Sequence, residues 1–270
     1  MVGNRAGVRR WVGIVPWCAV AIVCLRPSGY AQIGPTTPAP EAAGANPALT
    51  RAIQLYNAKE YASALRVFRQ VADTGNLEAI LYLGVMYGTG QGVRADYAEA
   101  LKWFRKAADA GDGQAMCNIG ALYFQGLGVR RDHAEALRWF QKAAAAGNSQ
   151  GAFNIGVLYR DGLGVASDSG EAVRWFRKAA GAGNDLAMNS LGVLYQKGQG
   201  IEVDNGEAVR WFRAAADAGN AAAMYNLGLA YENGTGVFLN REEAIAWYRR
   251  AATAGNAEAR ASLQRLGAEK

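Results

Sequence analysis

The sequence is poor in the residues that build metal and nucleophilic sites. His133 is the only histidine, and Cys117 is the only cysteine outside the first 31 residues. A zinc-type metal site needs several such ligands in one place, so we expect neither a metal nor another cofactor. A Ser-His-Asp triad could use only His133, and no Ser-x-x-Lys motif is present. The sequence therefore does not predict enzymatic activity.

Strong helix breakers and a strong net charge are also missing. No proline follows Pro47, which leaves the rest of the chain free to form helices. The formal charge of +6 comes largely from four arginines in residues 1–31, a segment without acids. Residues 32–270 hold 25 basic and 23 acidic side chains. Because such a chain has no strong field to steer a polyanion, we expect no nucleic-acid partner.

The N-terminal segment has the pattern of an export signal. Arginines precede an apolar run from Trp11 to Leu25, and Gly29 and Ala31 supply small residues at positions −3 and −1 of a cleavage site. The run is short for a membrane span, which needs roughly 20 residues. We predict that residues 1–31 are a secretory signal peptide and that the mature protein is periplasmic or secreted, with no stable membrane span. An uncleaved anchor and a twin-arginine route stay open as alternatives.

Aromatic residues reveal an internal repeat of 36 residues. The tryptophans beyond the N-terminal segment follow this interval, and each precedes another aromatic ring: Trp103, Trp139, Trp175, Trp211, Trp247. A glycine and a tyrosine, beginning with Gly84 and Tyr87, keep the same spacing. No insertion interrupts the period from residue 76 to 255. The regularity predicts five copies of one structural unit.

Each copy carries start and stop signals for two helices. A glycine such as Gly75 precedes Asn76, which predicts a left-handed helix end followed by a new N-cap. A Gly-x-Gly turn then leads to Asp-x-x-Glu, as in Asp96 to Glu99, which resembles a reciprocal capping box. Gly84 and its counterparts would let the second helix approach closely, while the Trp-Phe pairs fill the space between hairpins.

These signals divide the chain into five parts. Residues 1–31 are the signal peptide, 32–47 a Pro-rich linker, and 48–75 a degenerate hairpin similar to a tetratricopeptide unit. Five repeats follow: 76–111, 112–147, 148–183, 184–219 and 220–255. Residues 256–270 begin another first helix, but Gln264 replaces the glycine and basic side chains make the segment polar. We therefore predict a C-terminal capping helix.

The repeat resembles a known family. Residues 223–237 read Ala-Met-x-Asn-Leu-Gly-x-x-Tyr-x-x-Gly-x-Gly-Val, and residues 171–180 read Glu-Ala-x-x-Trp-Phe-Arg-Lys-Ala-Ala. These motifs are similar to those of Sel1-like repeat proteins, which are related to tetratricopeptide proteins. The resemblance implies an all-α, right-handed α-solenoid whose first helices line a concave face, and roles as scaffolds or adaptors. Some relatives with paired cysteines in each repeat are described as penicillin-binding proteins or weak β-lactamases, and this chain lacks those cysteines.

Positions that vary between the repeats are the candidates for partner recognition. On the first helices, aligned by the repeated glycine, they are Leu81, Cys117, Asn118, Phe124, Phe153, Asn154, Arg160, Asn189, Gln196, Tyr225, Asn226 and Glu232. Their mixture of apolar, amide and charged groups suits an extended peptide. The alternative is that these positions vary because nothing constrains them. Basic residues on the second helices could bind anionic polymers, but pairs such as Glu135–Arg138 and Glu171–Arg174 favour a solvated outer face.

The sequence as a whole predicts a non-enzymatic, monomeric scaffold that binds a protein or peptide partner on its concave face. An alternative is a protein associated with the cell wall or glycans, with weak β-lactamase-like hydrolase activity as in the cysteine-rich relatives. A structural spacer without a fixed ligand is a further alternative.

Overall fold

The computed structural model describes residues 46–268, which form thirteen α-helices and no strand. In chain order the helices are α1 (Pro47–Asn57), α2 (Tyr61–Ala72), α3 (Leu77–Thr89), α4 (Tyr97–Asp109), α5 (Gly113–Gln125), α6 (His133–Ala145), α7 (Ser149–Asp161), α8 (Ser169–Gly181), α9 (Asp185–Lys197), α10 (Asn205–Asp217), α11 (Ala221–Asn233), α12 (Arg241–Thr253) and α13 (Ala257–Leu266). The odd-numbered helices α3 to α11 are the first helices of the five repeats.

The helices pack in the order in which they occur in the chain. Each helix contacts the one before it and the one after it, from α1 to α13. The buried side chains form three hydrophobic clusters, and Met116 and Met188 each pack against two of them. Stacked hairpins that contact only their neighbours are the architecture of a solenoid. The predicted all-α solenoid fold is therefore confirmed.

The first helices begin at the predicted caps. The Asn76 side chain accepts a hydrogen bond from the Ala79 backbone N–H at 2.9 Å, and Gly75 before it has a φ of 82°. Equivalent caps start the other first helices at Asp112, Asn148, Asn184 and Asn220. A short side-chain acceptor satisfies an amide that the helix itself leaves free.

The second helices begin at the predicted aspartate, but the capping box is only half formed. Asp96 accepts from the Glu99 N–H at 2.9 Å, as expected. The Glu99 carboxylate does not reach back to the cap: it pairs with Lys102 at 2.7 Å, and the Asp96 N–H donates to the Tyr87 carbonyl. The reciprocal half of the prediction is wrong, because the preceding helix already supplies an acceptor for that amide.

The repeated glycine of the first helix makes room for an aromatic ring. A Cβ atom placed on Gly120 would lie 2.6 Å from Cε1 of Phe140, and the Phe140 side chain is completely buried. The tryptophan beside it behaves differently: Trp139 is half-buried, and the Lys142 ammonium lies 4.1 Å from its ring centre. The close approach at glycine is thus confirmed. The second ring of each pair is buried against that glycine, whereas the tryptophan is half-buried in the first four repeats and buried only at Trp247.

The second glycine of each turn also sets the packing between repeats. Gly128 has a φ of 68°, and a Cβ there would lie 2.7 Å from the carbonyl carbon of Tyr97. Tyr97 is the first residue of α4, the second helix of the preceding repeat. The turn therefore rests against the start of that helix, and a larger residue would separate the two repeats.

The two ends differ from the repeats. The turn between α1 and α2 has no glycine, and Lys59 takes the left-handed conformation there with a φ of 63°. At the other end α13 packs on α12 with exposed Gln264 in the glycine position. Within residues 46–268 no helix is long and apolar enough to cross a bilayer. The predicted signal peptide and residues 32–45 of the linker lie outside the described residues.

Candidate partner-binding surface

The predicted recognition positions lie on five first helices that stand side by side along the solenoid. Among helices of the same kind, α5 and α7 make the most extensive contact. Eight of the twelve predicted side chains are half-buried, so each is held in place yet reachable: Leu81, Phe124, Phe153, Arg160, Asn189, Gln196, Asn226 and Glu232. We call this set of eight residues the first-helix face.

The other four predicted positions require correction. Cys117, Asn118 and Asn154 have no exposed surface, and Tyr225 is buried as well. Cys117 and Asn154 contact each other across two neighbouring first helices, and the Tyr225 ring packs beside Tyr248 within its own hairpin. Side chains covered in this way cannot form the surface that a partner touches.

Buried and half-buried asparagines of the first helices form a row of hydrogen bonds between repeats that was not apparent in the sequence. Asn154 Nδ2 donates to Cys117 Sγ of the preceding repeat at 3.6 Å, and Asn226 donates to Asn189 at 2.9 Å. Within its own helix Asn154 accepts from Gln150 at 3.0 Å. A buried amide is stable only when its donors and acceptors are satisfied, so this row fixes the register of adjacent repeats.

A second row of bonds starts from the N-caps. Asn148 Nδ2 donates to Gln114 Oε1 at 3.1 Å, and Asn184 makes the same bond to Gln150 at 3.3 Å. Asn220 donates to Asp185 at 2.8 Å. These three cap residues therefore satisfy their own helices through oxygen and reach the preceding repeat through nitrogen. This explains why asparagine predominates at a site where aspartate caps equally well.

Both rows are incomplete between the first two repeats. Asn118 Nδ2 is buried without a hydrogen-bond partner, and the residue in the acceptor register is Leu81, which is apolar. Asp112 replaces the cap asparagine and has no side-chain N–H to donate. Glu78 Oε1, in the corresponding acceptor register, is buried without a partner. An unpaired buried polar group costs stability.

The first-helix face changes in chemistry along the solenoid. In the first three repeats it presents Leu81, Phe124 and Phe153, with the Phe153 ring centre 5.5 Å from that of Phe176. In the last two repeats it presents amides, which are Asn189, Gln196 and Asn226. An apolar half is thus followed by a half that can donate and accept hydrogen bonds.

Charged groups lie near the middle and the end of this face. Arg160 forms an ion pair with Asp161 at 2.6 Å. Burial and the neighbouring Arg160 guanidinium lower the pKa of Lys197. Glu232 accepts from the Tyr248 hydroxyl at 2.6 Å and pairs with Arg265 at 2.7 Å. Glu232 is therefore engaged within the chain.

The basic residues of the second helices are held by groups of the chain itself. The predicted pairs Glu135–Arg138 and Glu171–Arg174 form, at 2.6 and 2.7 Å. The next cations along these helices lie over tryptophan rings, with the Lys106 ammonium 4.3 Å from the Trp103 ring centre. Exposed pairs of this kind contribute about 0.5 kcal/mol each. They agree with a solvated outer face.

The residues that enzymatic chemistry would need do not converge. Within residues 46–268 no three His, Cys, Asp or Glu side chains form a group that could hold a metal ion. His133 stacks on Phe124, with ring centres 4.8 Å apart. Residues 147–151 match the letters Gly-x-Ser-x-Gly, but the segment joins α6 to α7 and Asn148 serves as a cap. A nucleophile elbow instead follows a strand.

Comparison with known proteins identifies the repeat. The Sel1 repeat family model matches five consecutive segments: 77–112, 113–148, 149–184, 185–220 and 221–256. The chain belongs to the Sel1 repeat family. Members of this family generally mediate protein–protein interactions and are generally not enzymes.

Solved structures agree with the Sel1 repeat assignment. The chain is 36% identical to a Sel1 repeat protein from Oxalobacter formigenes, with a TM-score of 0.76 over 82% of this chain and 93% of that one. It is 32% identical to a protective antigen with an SLR fold from uropathogenic Escherichia coli, with a TM-score of 0.54 over 81% of this chain and 56% of that one. An immunity protein from Pseudomonas aeruginosa, 20% identical over 81% of this chain and 85% of that one with a TM-score of 0.57, shares the fold. No curated protein shows significant sequence similarity to the chain.

Proposed function

We propose that this Sel1 repeat protein is a non-enzymatic scaffold of the periplasmic or secreted space that binds a peptide segment of a partner protein along the first-helix face. The observation that carries the proposal is the contrast between a constant frame and a variable surface. Every repeat places an aromatic ring against the same glycine, from Gly84 and Phe104 to Gly228 and Tyr248. The half-buried positions beside that frame differ from one repeat to the next.

The burial of the first-helix face supports a role in binding. Half-buried side chains lose little conformational entropy when a ligand covers them, because the fold already restricts their rotamers. Phe124 rests on His133, and Phe153 packs beside Phe176, so both rings are ordered before a partner arrives. Preformed aromatic contacts are typical of the residues that contribute most to protein interfaces.

The order of chemistry along the face defines the ligand further. An extended peptide would place apolar side chains against Phe124 and Phe153, and its backbone amides against Asn189 and Gln196. The proposed ligand is therefore an extended segment with an apolar half and a polar half.

The cellular location in this proposal comes from the N-terminal pattern. Arginines, an apolar run and small residues before Gln32 are the three parts of a secretory signal. Fractionation of cells that produce the full chain, followed by N-terminal sequencing, tests this part. We expect an exported protein that starts at Gln32, and a full-length cytoplasmic product would contradict it.

Affinity capture from an envelope extract, followed by mass spectrometry and binding of peptides from the captured protein, tests the binding face. The double variant Phe153→Ala, Gln196→Ala should lower the affinity for the peptide by about tenfold or more, since it removes one contact from each half of the face. The matched control is Gln141→Ala, Arg174→Ala on exposed positions of the second helices. Equal affinities for both double variants, or turnover of a β-lactam by the wild-type chain, would contradict the proposal.

A further inference from the structure

The turns between the two helices of each repeat lie along one edge of the solenoid. Each turn rests against the start of the second helix of the preceding repeat, as Gly164 does against His133. The two residues before the second-helix cap are the outermost part of each turn. From the first repeat to the fifth they are Arg94 and Ala95, Arg130 and Arg131, Ala166 and Ser167, Glu202 and Val203, Phe238 and Leu239. We call this row the turn edge.

The C-terminal half of the turn edge exposes large apolar side chains. Phe238 is 96% exposed, Leu239 68% and Val203 55%. Among the described residues the one other exposed large hydrophobic side chain is Leu77, which lies at the start of α3. Apolar side chains grouped on a surface mark an interaction site more often than single ones do. The fold does not explain Phe238, because almost nothing in the chain contacts it.

The N-terminal half of the turn edge has a matching depression. A hollow of about 740 Å³ opens to the surface between the second and third turns, and Tyr123, Val129, Arg130, Arg131, His133 and Gly164 are among its lining residues. Its walls combine aromatic and aliphatic groups with two guanidinium groups. A phenylalanine ring fits such a site, because guanidinium groups bind to aromatic faces.

The charges beside the two features are opposite. Exposed Glu242 and Glu243 follow Phe238 and Leu239 at the start of α12. Arg130 and Arg131 are exposed at the depression. The projection is followed by Arg241 and two acids, and the hollow is lined by two arginines and Asp132, so the net charge is negative beside the first and positive beside the second, three repeats away. Opposite charges at the rim of an interface set its orientation.

We propose that two copies of this chain associate in antiparallel fashion through their turn edges, about a two-fold axis between the third and fourth turns. The fifth turn of each copy then meets the second turn of the other, so Phe238 and Leu239 enter the partner's depression twice. The third turn meets the fourth, which places Val203 opposite Ala166. A two-fold interface uses the same surface on both copies and closes on itself. The proposal departs from the monomer expected from the sequence.

The uniform repeat length makes the two contacts compatible. No residue is inserted or deleted between Arg130 and Phe238, so each turn is separated from the next by one 36-residue repeat. The caps Asp168 and Asp204 approach the axis from both copies. Their carboxylates accept the N–H groups of Glu171 and Glu207, both at 2.9 Å, which offsets part of their mutual repulsion.

Sedimentation equilibrium of the full chain over a range of concentrations tests the proposal. We expect the wild type to dimerise reversibly and the double variant Phe238→Ser, Leu239→Ser to dimerise at least about tenfold more weakly, with an unchanged melting temperature at concentrations where both proteins are monomeric. Leu77→Ser is the matched control outside the turn edge and should leave the dimer intact. A wild type that stays monomeric, or a dimer that survives the double variant, would overturn the proposal.

Charge reversal distinguishes the antiparallel arrangement from other contacts. Arg130→Glu with Arg131→Glu should weaken the dimer, as should Glu242→Arg with Glu243→Arg, and all four changes in one chain should restore it. Arg94→Glu, on the first turn, has no partner in this arrangement and should change nothing. Failure of the combined variant to dimerise would overturn the arrangement. A monomer that binds vesicles of anionic lipid through Phe238 would also overturn it, in favour of a membrane contact.

Discussion

The side-chain amide of Asn226 donates to the side-chain carbonyl of Asn189, 37 residues earlier, at 2.9 Å. The same register joins Asn154 to Cys117 and is left without an acceptor at Asn118. The asparagine at this repeat position therefore contributes a different amount to stability in each repeat, depending on the residue that the preceding repeat places opposite it. Substitution of individual asparagines can measure this difference.

Asn154→Ala should cost more stability than Asn118→Ala. Asn154 loses bonds both to its own helix and to the preceding repeat, whereas Asn118 Nδ2 has no partner to lose. We expect Asn154→Ala to lower the free energy of unfolding by about 2 to 3 kcal/mol. The decrease for Asn118→Ala should be smaller than that by about 1 kcal/mol. Urea unfolding followed by circular dichroism measures both. Equal losses would show that the inter-repeat bond contributes nothing.

Asp112→Asn should stabilise the protein. The new amide keeps the N-cap, as Asn148 does, and supplies the N–H that the buried Glu78 oxygen lacks. We expect a gain of about 1 kcal/mol in the free energy of unfolding. Asp96→Asn is the control, because that cap is exposed and starts a second helix. A gain at Asp96 as large as that at Asp112 would assign the effect to net charge.

Gly156→Ala should destabilise the third repeat. The added Cβ would lie 2.7 Å from Cε1 of Phe176, a completely buried ring that has no free space to move into. Overpacking of this kind costs about 2 kcal/mol. Gly181→Ala, at the exposed end of α8 with nothing within 4 Å of its Cβ, should instead be neutral or stabilising by up to about 1 kcal/mol. Thermal unfolding measures the change in melting temperature of each variant, which should be negative for Gly156→Ala and zero or positive for Gly181→Ala.

Tyr248→Phe should reduce the loss of stability at high pH. Burial, followed by the hydrogen bond to Glu232, raises the pKa of Tyr248 above its usual value of 10.0. The folded state then holds a proton that the unfolded state releases above about pH 10, so stability falls as the pH rises beyond that point. The wild type should lose up to about 1.4 kcal/mol more per pH unit than the variant.

Urea unfolding from pH 8 to 11 measures that difference. Tyr225 and Tyr56 also have pKa values raised by burial and remain in both proteins, so each curve should fall and only the slopes should differ. Parallel curves would show that the Tyr248 proton is not linked to folding.

The sequence by itself determined the repeat unit and its local structure. A cap such as Asn76 and a turn such as Gly126 to Gly128 act within a few residues, and the pairing of Gly120 with Phe140 acts within one hairpin. The spacing therefore predicts the helices, their ends and the all-α solenoid. The Glu135–Arg138 ion pair could also be predicted from the sequence, because residues three apart on a helix lie on the same side.

Only the tertiary structure decided which side of each helix is covered. Cys117, Asn118 and Asn154 were expected on the partner-binding surface, but all three are completely buried, and Asn154 bonds to Cys117 of the preceding repeat, 37 residues earlier. The capping box failed for a related reason, since the Tyr87 carbonyl of another helix satisfied the Asp96 amide first. The repeat period shows the local structure that all copies share. The burial of a first-helix side chain also depends on the rotation and distance between neighbouring repeats, and these cannot be deduced from one repeat alone.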